Sequence, residues 1–190
     1  MVTRCEWVSN NSKPLDIKYH YEEWGVSVHD DRILFEFLSL EGAQAGFSWS
    51  TILNKRNNYR KAYDNFEPRK VEKYVDSKQQ KLLRNEGIVR NRLKVAASVI
   101  NSKAFLEVQK EFGSFYKYIW GGVGNITLQN NCKLLKEILA TTNASGAMSK
   151  GLKKRGFKFV GSTICYAFMQ ATGMVNDHTT TYFRYKKLYI

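Results

Sequence analysis

A single carboxylate in the segment LEGAQAGFSW is the first group whose setting suggests chemistry. Glu41 follows the apolar run ILFEFLSL, and Trp49 lies about two helical turns beyond it, past a glycine break at Gly46. A carboxylate that faces a protein interior is costly unless another group pairs with it. The pattern leaves two interpretations open: a structural ion pair, or a site in which a ligand supplies the partner.

A second candidate site, for an anion, is the segment LKKRGFKFVGST. Gly156 and Gly161 suit a tight turn that needs unusual backbone angles and a close approach. The helix that begins near Ser162 and Thr163 offers unpaired backbone N–H groups, and Lys158 is one of several basic residues around them. This pattern is typical of a helix-hairpin-helix that grips a DNA phosphate. The alternative is an ordinary corner between two helices with a capping serine.

The thiols and imidazoles are candidates for metal ligation. The three cysteines are odd in number and far apart, which argues against a disulfide framework and for reduced thiols. We predict that the first 28 residues are irregular. They are rich in aromatic and metal-capable side chains, namely Cys5, Trp7, Tyr19, His20, Tyr21 and Trp24.

Helical periodicity dominates the rest of the chain and predicts a single all-α domain over residues 1–190. One helix is predicted through RILFEFLSLEGAQ with Asp30 or Asp31 as its cap, and a second through SWSTILNKRNNYRKAYDNF with Ser48 as its cap. Further helical patterns are PRKVEKYV, SKQQKLLRNE, NRLKVAASVINSKAFLEVQKEFG and SFYKYIWGGVG. The last two helices flank the hairpin, which we place around 149–172. NITLQNN is the only strand-like fragment.

The charge balance is strongly basic, at +13 with a pI near 9.6. Such an excess favours a polyanionic partner, because lysines and arginines that neutralise phosphates release counterions. A solubilising surface is the alternative explanation. No stretch approaches the roughly 20 apolar residues of a membrane span, and the N-terminus lacks an apolar signal region. We therefore expect a cytoplasmic protein without a membrane partner.

Motifs along nearly the whole chain resemble the 3-methyladenine DNA glycosylase I family of the helix-hairpin-helix superfamily. They are RCEWVS, YHYEEWG, LFEFLSLEGAQAGFSWSTIL, NEGIVRNRLKV and LKKRGFKFVGSTICYAFMQATGMVNDH. The resemblance implies a helical body whose terminal segments pack together, and base-excision repair in a bacterium. A nucleotide flips out of alkylated double-stranded DNA, and hydrolysis of its N-glycosidic bond releases free 3-methyladenine and leaves an abasic site. It implies no strand cleavage and no organic cofactor, and we expect a monomer.

The resemblance also implies roles for individual residues. Glu41 is the catalytic carboxylate and accepts hydrogen bonds from the alkylated adenine, which is cationic in DNA. Trp49 stacks on the base, Tyr19 supplies a hydrogen bond, and Trp7 and Trp24 form pocket walls.

Gly46 and Phe47 lie where the family places a loop that fills the gap left by the flipped nucleotide; a plain helix break is the alternative. Asp16 replaces a tyrosine that family members often carry, so the polarity at that edge of the pocket is open. Asp177 falls about where the wider superfamily has a catalytic aspartate. We interpret it instead as a cap or as a residue that orients His178.

The family also binds a structural zinc between its chain ends, and three of the four ligands match. Cys5, His20 and His178 are present, whereas Tyr182 stands in place of the second cysteine. We expect the three side chains to converge. Occupancy stays open between zinc with a water or substitute fourth ligand and an empty site in which packing replaces the metal.

Two other functions remain as alternatives. A non-catalytic helix-hairpin-helix protein would bind DNA after losing the chemistry, although the presence of Glu41, Tyr19 and Trp49 together favours the enzyme. A basic structural protein that binds RNA would show no preference for alkylated DNA.

Overall fold

A computed structural model describes residues 3–8 and 12–188. The helices of the described residues are α1 (Pro14–Glu22), α2 (Asp31–Gln44), α3 (Trp49–Ala62), α4 (Pro68–Val71), α5 (Asp76–Arg84), α6 (Arg92–Phe112), α7 (Phe115–Gly121), α8 (Asn143–Lys154) and α9 (Ser162–Ala171). Two short strands are β1 (Leu128–Gln129) and β2 (Val175–Asn176), and three 3₁₀ segments are Asp64–Phe66, Leu135–Glu137 and Tyr185–Leu188. The predicted mostly helical fold is confirmed.

Helix α2 lies at the centre of the core, where it packs against α3, α6, α7 and α9. Asp30 is its cap and accepts a hydrogen bond from the Ile33 N–H at 2.9 Å. Ser48 caps α3 in the same way and accepts from the Thr51 N–H at 3.2 Å. Both predicted caps are confirmed, and together they fix where the two helices that carry Glu41 and Trp49 begin.

The prediction that the first 28 residues are irregular is wrong, because α1 forms there. Pro14 occupies the first turn, where its missing N–H costs nothing and its fixed φ suits a helix. Only Tyr19 and His20 of this helix are buried, so its sequence lacks the apolar stripe that would predict a helix. The helix ends before Gly25, whose φ is +78°.

Two predicted helices are too long. Helix α3 ends at Ala62 rather than at Phe66, because the three residues of Asp64–Phe66 all adopt left-handed φ angles between 49° and 57°. The segment PRKVEKYV is helical only over Pro68–Val71. Tyr74 closes the turn by donating a hydrogen bond from its hydroxyl to Asp64.

The strand-like fragment NITLQNN contains β1, which pairs in parallel with β2. Leu128 lies opposite Val175, and Gln129 opposite Asn176. The second strand was not predicted, since two residues carry no periodicity and the partner is far away in sequence. This pairing fixes the segment that leads into Asp177 and His178.

Helices α8 and α9 pack against each other across a short connection. Gly156 has a φ of +89°, so the predicted need for glycine holds there. Gly161 has a φ of −63°, and a Cβ atom at this position would meet nothing within 4 Å. The prediction of unusual angles is therefore wrong for Gly161; Phe159, with a φ of 55°, makes the second left-handed step.

The terminal segments pack together as predicted. The Phe183 N–H donates to the Thr3 carbonyl at 3.3 Å, and Cys5 lies in a small buried cluster with Tyr182, Tyr185 and Leu188. Among residues 3–8 and 12–188, no helix has the length and apolar character to cross a bilayer.

Candidate active site

A cavity of about 240 Å³ opens where α1, α2, α3 and α9 meet. Its lining residues are Trp7, Tyr19, Trp24, Glu41, Gln44, Trp49, Leu135, Ile138, Ala167 and Gln170. All five pocket residues predicted from the sequence are among them. The volume is slightly below the range of about 300–1,000 Å³ typical of sites for drug-sized ligands, so the cavity suits a small, flat molecule.

Glu41 is the only acidic residue among those lining the cavity. Its side chain is 2% exposed, and Oε2 has no hydrogen-bond partner among the described residues. Burial raises the pKa of its carboxyl group from 4.5 to about 8. At neutral pH this carboxyl group is therefore largely protonated by itself, and a cationic ligand would convert it to a paired carboxylate.

Aromatic rings form the walls beside Glu41. The rings of Tyr19 and Trp49 are 5.3 Å apart, and Trp7 meets Trp24 edge to face at 5.2 Å. Phe37 stacks behind Trp49 at 6.5 Å. Burial, with a smaller effect of the nearby Glu41 charge, raises the pKa of the Tyr19 hydroxyl well above its usual range, so this group stays protonated. These walls suit a flat cationic ring, which the faces of tryptophan and tyrosine attract.

Sequence reasoning missed half of the cavity lining. Gln44 lies three residues after Glu41 and so shares its face of α2. This spacing in the sequence could have predicted that Gln44 lines the same cavity. Ala167 and Gln170 have the same spacing on α9. No sequence signal marks the 3₁₀ segment whose Leu135 closes the far wall.

The two aspartates discussed from the sequence lie outside the lining. Asp16 accepts a hydrogen bond from the Ser50 hydroxyl at 2.9 Å and so ties α1 to α3. Asp177 is 1% exposed, and its carboxylate accepts from four side chains, those of Asn130, Cys132, Tyr166 and Gln170, rather than from the His178 ring. The interpretation of Asp177 as a helix cap or orienter of His178 is therefore wrong. The His178 N–H is instead bonded to Asn176 at 3.2 Å.

A second cluster lies beside the pocket. The Cys5 thiol and the ring nitrogens of His20 and His178 lie within 4.8 Å of one another, which confirms the predicted convergence. Both His20 nitrogens are buried without a partner among the described residues. His178 Nε2 lies 3.0 Å from the Trp24 carbonyl and therefore carries the hydrogen, which leaves Nδ1 facing Cys5 Sγ at 3.4 Å.

These donors suit a zinc ion. Burial lowers the pKa of His20 to about 3 and that of His178 to about 4, so both imidazoles are neutral, as ligation requires. Burial raises the pKa of the Cys5 thiol, which a bound metal would reverse. The carbonyl behind His178 is a typical outer-shell partner.

Tyr182 does not replace the missing cysteine as a ligand. Its ring stacks on His178 at 4.3 Å with an angle of 9° between the planes, and its hydroxyl donates to the His20 carbonyl at 3.3 Å. The ring thus fills space beside the cluster while its oxygen is held by the backbone.

The residues predicted to contact DNA lie at two exposed places. Gly46, with a φ of +84°, and Phe47, which is 49% exposed, follow α2. The Lys94 ammonium binds the carbonyls of Ala43 and Ala45 at 2.8 and 2.5 Å and lies 4.9 Å above the Phe47 ring. The end of α2 is therefore held from a second helix.

At the other place, the α8–α9 turn presents Lys158 and Thr163 as exposed side chains. Asn101 of α6 binds the Lys158 backbone at both N–H (2.7 Å) and carbonyl (3.0 Å). The Ser162 hydroxyl contacts Ser145 at 2.9 Å and caps nothing, since Gly161 is the N-cap residue. The predicted capping role of the serine is therefore wrong, whereas the choice between an ordinary corner and a phosphate-gripping hairpin stays a prediction.

The described residues thus form a helical body around a small aromatic cavity in which one carboxyl oxygen has no partner, a site that suits a flat cationic ring. The sequence profile of the methyladenine glycosylase family matches residues 7–185. The chain is 47% identical to DNA-3-methyladenine glycosylase 1 of Escherichia coli over 92% of each chain. The chain belongs to the methyladenine glycosylase family.

Solved structures agree with this assignment. The fold matches a crystal structure of 3-methyladenine DNA glycosylase I with a TM-score of 0.92 and 46% identity, over 95% of this chain and 98% of that one. It also matches a single-substitution variant of 3-methyladenine DNA glycosylase I in complex with 3-methyladenine. There the TM-score is 0.89 and the identity 30%, over 93% and 94% of the two chains.

Proposed function

We propose that this protein is a DNA glycosylase that releases 3-methyladenine from alkylated DNA by hydrolysis of its N-glycosidic bond. The observation that carries the proposal is the buried, unpartnered Oε2 of Glu41 in a cavity walled by aromatic rings. A carboxylate in that position pairs more strongly with a cationic base than with neutral adenine. Family membership supports the same activity.

Methylation has already made the base a good leaving group, so the protein mainly has to select and position it. Glu41 pairs with the cationic ring, Trp49 stacks on it, and the Tyr19 hydroxyl donates a hydrogen bond. Trp7 and Trp24 exclude water from the remaining faces. No lysine lines the cavity in the described part of the chain, which supports a monofunctional enzyme that leaves an abasic site uncut.

Double-stranded DNA is the proposed macromolecular partner. Phe47 fills the gap that the flipped nucleotide leaves, and its exposure at the tip of a restrained turn supports this role. At the hairpin, Gly156, Lys158 and Gly161, with Ser162 and Thr163 at the start of α9, hold a phosphate.

The openness around Gly161 supports this arrangement. Neither its φ nor a neighbouring atom requires glycine, and the missing side chain leaves room for a close approach from outside. The net charge of +13 favours the same kind of partner.

A structural zinc bound by Cys5, His20 and His178 is the proposed metal, with water or a nearby oxygen or nitrogen group as its fourth ligand. Such an ion would tie the N-terminal segment to the C-terminal one without entering the reaction. Elemental analysis of protein purified without chelator tests occupancy. The metal content should fall in Cys5→Ser and stay unchanged in Cys165→Ser, which alters a buried thiol outside the cluster.

The remaining parts of the proposal concern organisation. Residues 1–190 form a single glycosylase domain that acts as a monomer, with its substrate in the bacterial cytoplasm.

Release of free 3-methyladenine from methylated duplex DNA, followed by chromatography, tests the activity. The wild-type protein should release the base and leave alkali-sensitive abasic sites without cutting the strand. A non-catalytic DNA-binding protein would bind the same duplex and release nothing. A protein that binds RNA would show no preference for methylated over unmethylated duplex.

A further inference from the structure

Gln170 is the one cavity-lining amide on α9, and neither the motifs nor the reaction above assigns it a role. Its Nε2 donates a hydrogen bond to Asp177 Oδ2 at 2.7 Å. Asp177 lies outside the cavity lining, behind this side chain, and is 1% exposed. A buried carboxylate outside the cavity lining thus binds the amide nitrogen of a side chain that lines the cavity.

The set of donors around Asp177 determines which way the amide points. Tyr166 donates its hydroxyl to Oδ2 at 2.7 Å, and Asn130 donates Nδ2 to Oδ1 at 2.6 Å. Since a carboxylate only accepts, the Gln170 amide must turn its NH₂ group towards Asp177. Oε1 is then directed away from Asp177, and no described residue donates a hydrogen bond to it.

The cavity consequently has acceptors on two facing elements. Glu41 stands on α2 and Gln170 on α9, and these helices pack against each other. An exocyclic amino group carries two N–H donors and can satisfy both. An oxo group at the same ring position is an acceptor and would face these two acceptors without a hydrogen bond. A closed site strongly disfavours a ligand that leaves buried polar groups unpaired.

We propose that Gln170 Oε1 selects bases with an amino group at C6 over bases with an oxo group there, and that Asp177 is a positioning residue that holds the amide in the accepting orientation. This rests on the proposed function and divides selection between two residues. Glu41 recognises the positive charge that methylation creates, whereas the neutral amide adds no charge and recognises the adenine-type edge. The two selections can therefore be separated by substrates that share the charge and differ at C6.

3-Methyladenine and 3-methylguanine are such a pair, since both are cationic in DNA; 3-methylguanine also carries an amino group at C2, a difference that is the same for the wild type and the variants. Single-turnover excision of the two bases from methylated duplex should be compared for wild type, Gln170→Met and Asp177→Asn. Gln170→Met keeps the size of the side chain and removes the acceptor. The ratio of the two excision rates should fall about tenfold towards unity, the usual effect of one hydrogen bond in a closed site.

Asp177→Asn tests the positioning role, because asparagine offers Gln170 a donor and lets its amide turn over. The same ratio should fall although no cavity-lining residue has changed. A merely structural role of Asp177 would lower both rates alike and leave the ratio intact. Gln109→Met is the matched control: it removes a similar hydrogen bond, from Gln109 to Asp31 at 2.6 Å, outside the cavity, and should leave the ratio unchanged.

If a variant no longer excises bases, the affinities for free 3-methyladenine and free 3-methylhypoxanthine, which differ at C6, provide the test instead. Gln170→Met should lose the wild-type preference for the amino compound. An unchanged preference, or an unchanged excision ratio in an active variant, overturns the role of Gln170. Failure of the wild-type protein to release any base would instead contradict the proposed function, while free-base binding would still decide the selection at C6.

Discussion

Helix α2 carries two buried carboxylates that are similarly buried but have different neighbouring groups. Glu36 is 1% exposed and Glu41 is 2% exposed. Glu36 accepts from Arg56 Nε at 2.6 Å and from Arg60 at 2.8 Å, and Arg32 lies 3.8 Å away. Glu41 has no such cation, and one of its oxygens has no partner among the described residues.

The difference follows from position on the helix. The five-residue separation rotates the side chains by about 140° around the axis, so they face different surroundings. Glu36 meets α3, which supplies two arginines, whereas Glu41 meets the cavity. A carboxylate with its cations built into the chain is structural, and one without them is available to a ligand that brings the charge.

Substitution of Glu36 should have the largest effect, and on stability. Glu36→Gln removes the charge that balances the buried Arg56, and breaking a buried ion pair on one side costs about 3 kcal/mol or more of the free energy of unfolding. Urea unfolding measures this loss. Glu86→Gln, at an exposed pair with Arg90, should change stability by less than about 0.5 kcal/mol. Equal effects of the two substitutions would remove the structural half of the comparison.

Substitution of Glu41 should have its effect on activity. Glu41→Gln keeps the shape and removes the charge, so the fold should persist while excision of 3-methyladenine slows by about 100-fold, as expected for loss of a charge-assisted contact. Single-turnover kinetics and circular dichroism of the same preparation give both results. Unchanged excision would exclude the role of Glu41.

The pH dependence of stability distinguishes the two carboxylates further. The folded-state pKa of Glu41 is raised to about 8 from 4.5, so between these values the native state holds a proton that the unfolded state lacks. The stability that this proton contributes is complete below pH 4.5 and is lost as the pH rises to about 8. The stability of Glu41→Gln relative to wild type should therefore increase over this window and level off above it. A constant difference in urea unfolding from pH 5 to 9 would contradict the raised pKa.

The smallest effect should come from the hairpin. Lys158→Glu removes about one phosphate contact, so the slope of log affinity for duplex DNA against log salt should become shallower by about 1. Free 3-methyladenine should bind as to wild type, because phosphate contacts carry no base identity. Glu41→Gln is the counterpart and should keep the wild-type salt slope. A Lys158 variant with the wild-type slope would exclude its phosphate contact.

The parts of the fold that sequence predicted depend on short-range signals. Asp30 and Ser48 are caps that act within three residues, and the helices they start were predicted with the right beginnings. Helix α1 was missed because it buries only Tyr19 and His20, and β2 because its partner strand is remote in sequence.

The candidate site also has parts that the sequence predicted and parts that it did not. Family motifs identified Glu41 and its aromatic walls, but not the arginines of α3 that separate Glu36 from it, nor the pairing of Gln170 with Asp177. These contacts join different helices, and their partners depend on packing that residue spacing does not encode. The convergence of Cys5, His20 and His178 from opposite ends of the chain was predicted only through the family resemblance.

The central claim is that the lone carboxylate of the pocket selects positive charge, and two small ligands test it most directly. 3,9-Dimethyladeninium carries a permanent charge, and 9-methyladenine is its neutral counterpart. In calorimetric titrations of wild-type protein, the cation should bind more tightly, with an affinity that rises up to about pH 8 and with release of a proton from Glu41 below that pH. Glu41→Gln should lose both the preference and the proton release. Equal binding of the two ligands by the wild-type protein, independent of pH, would contradict the account.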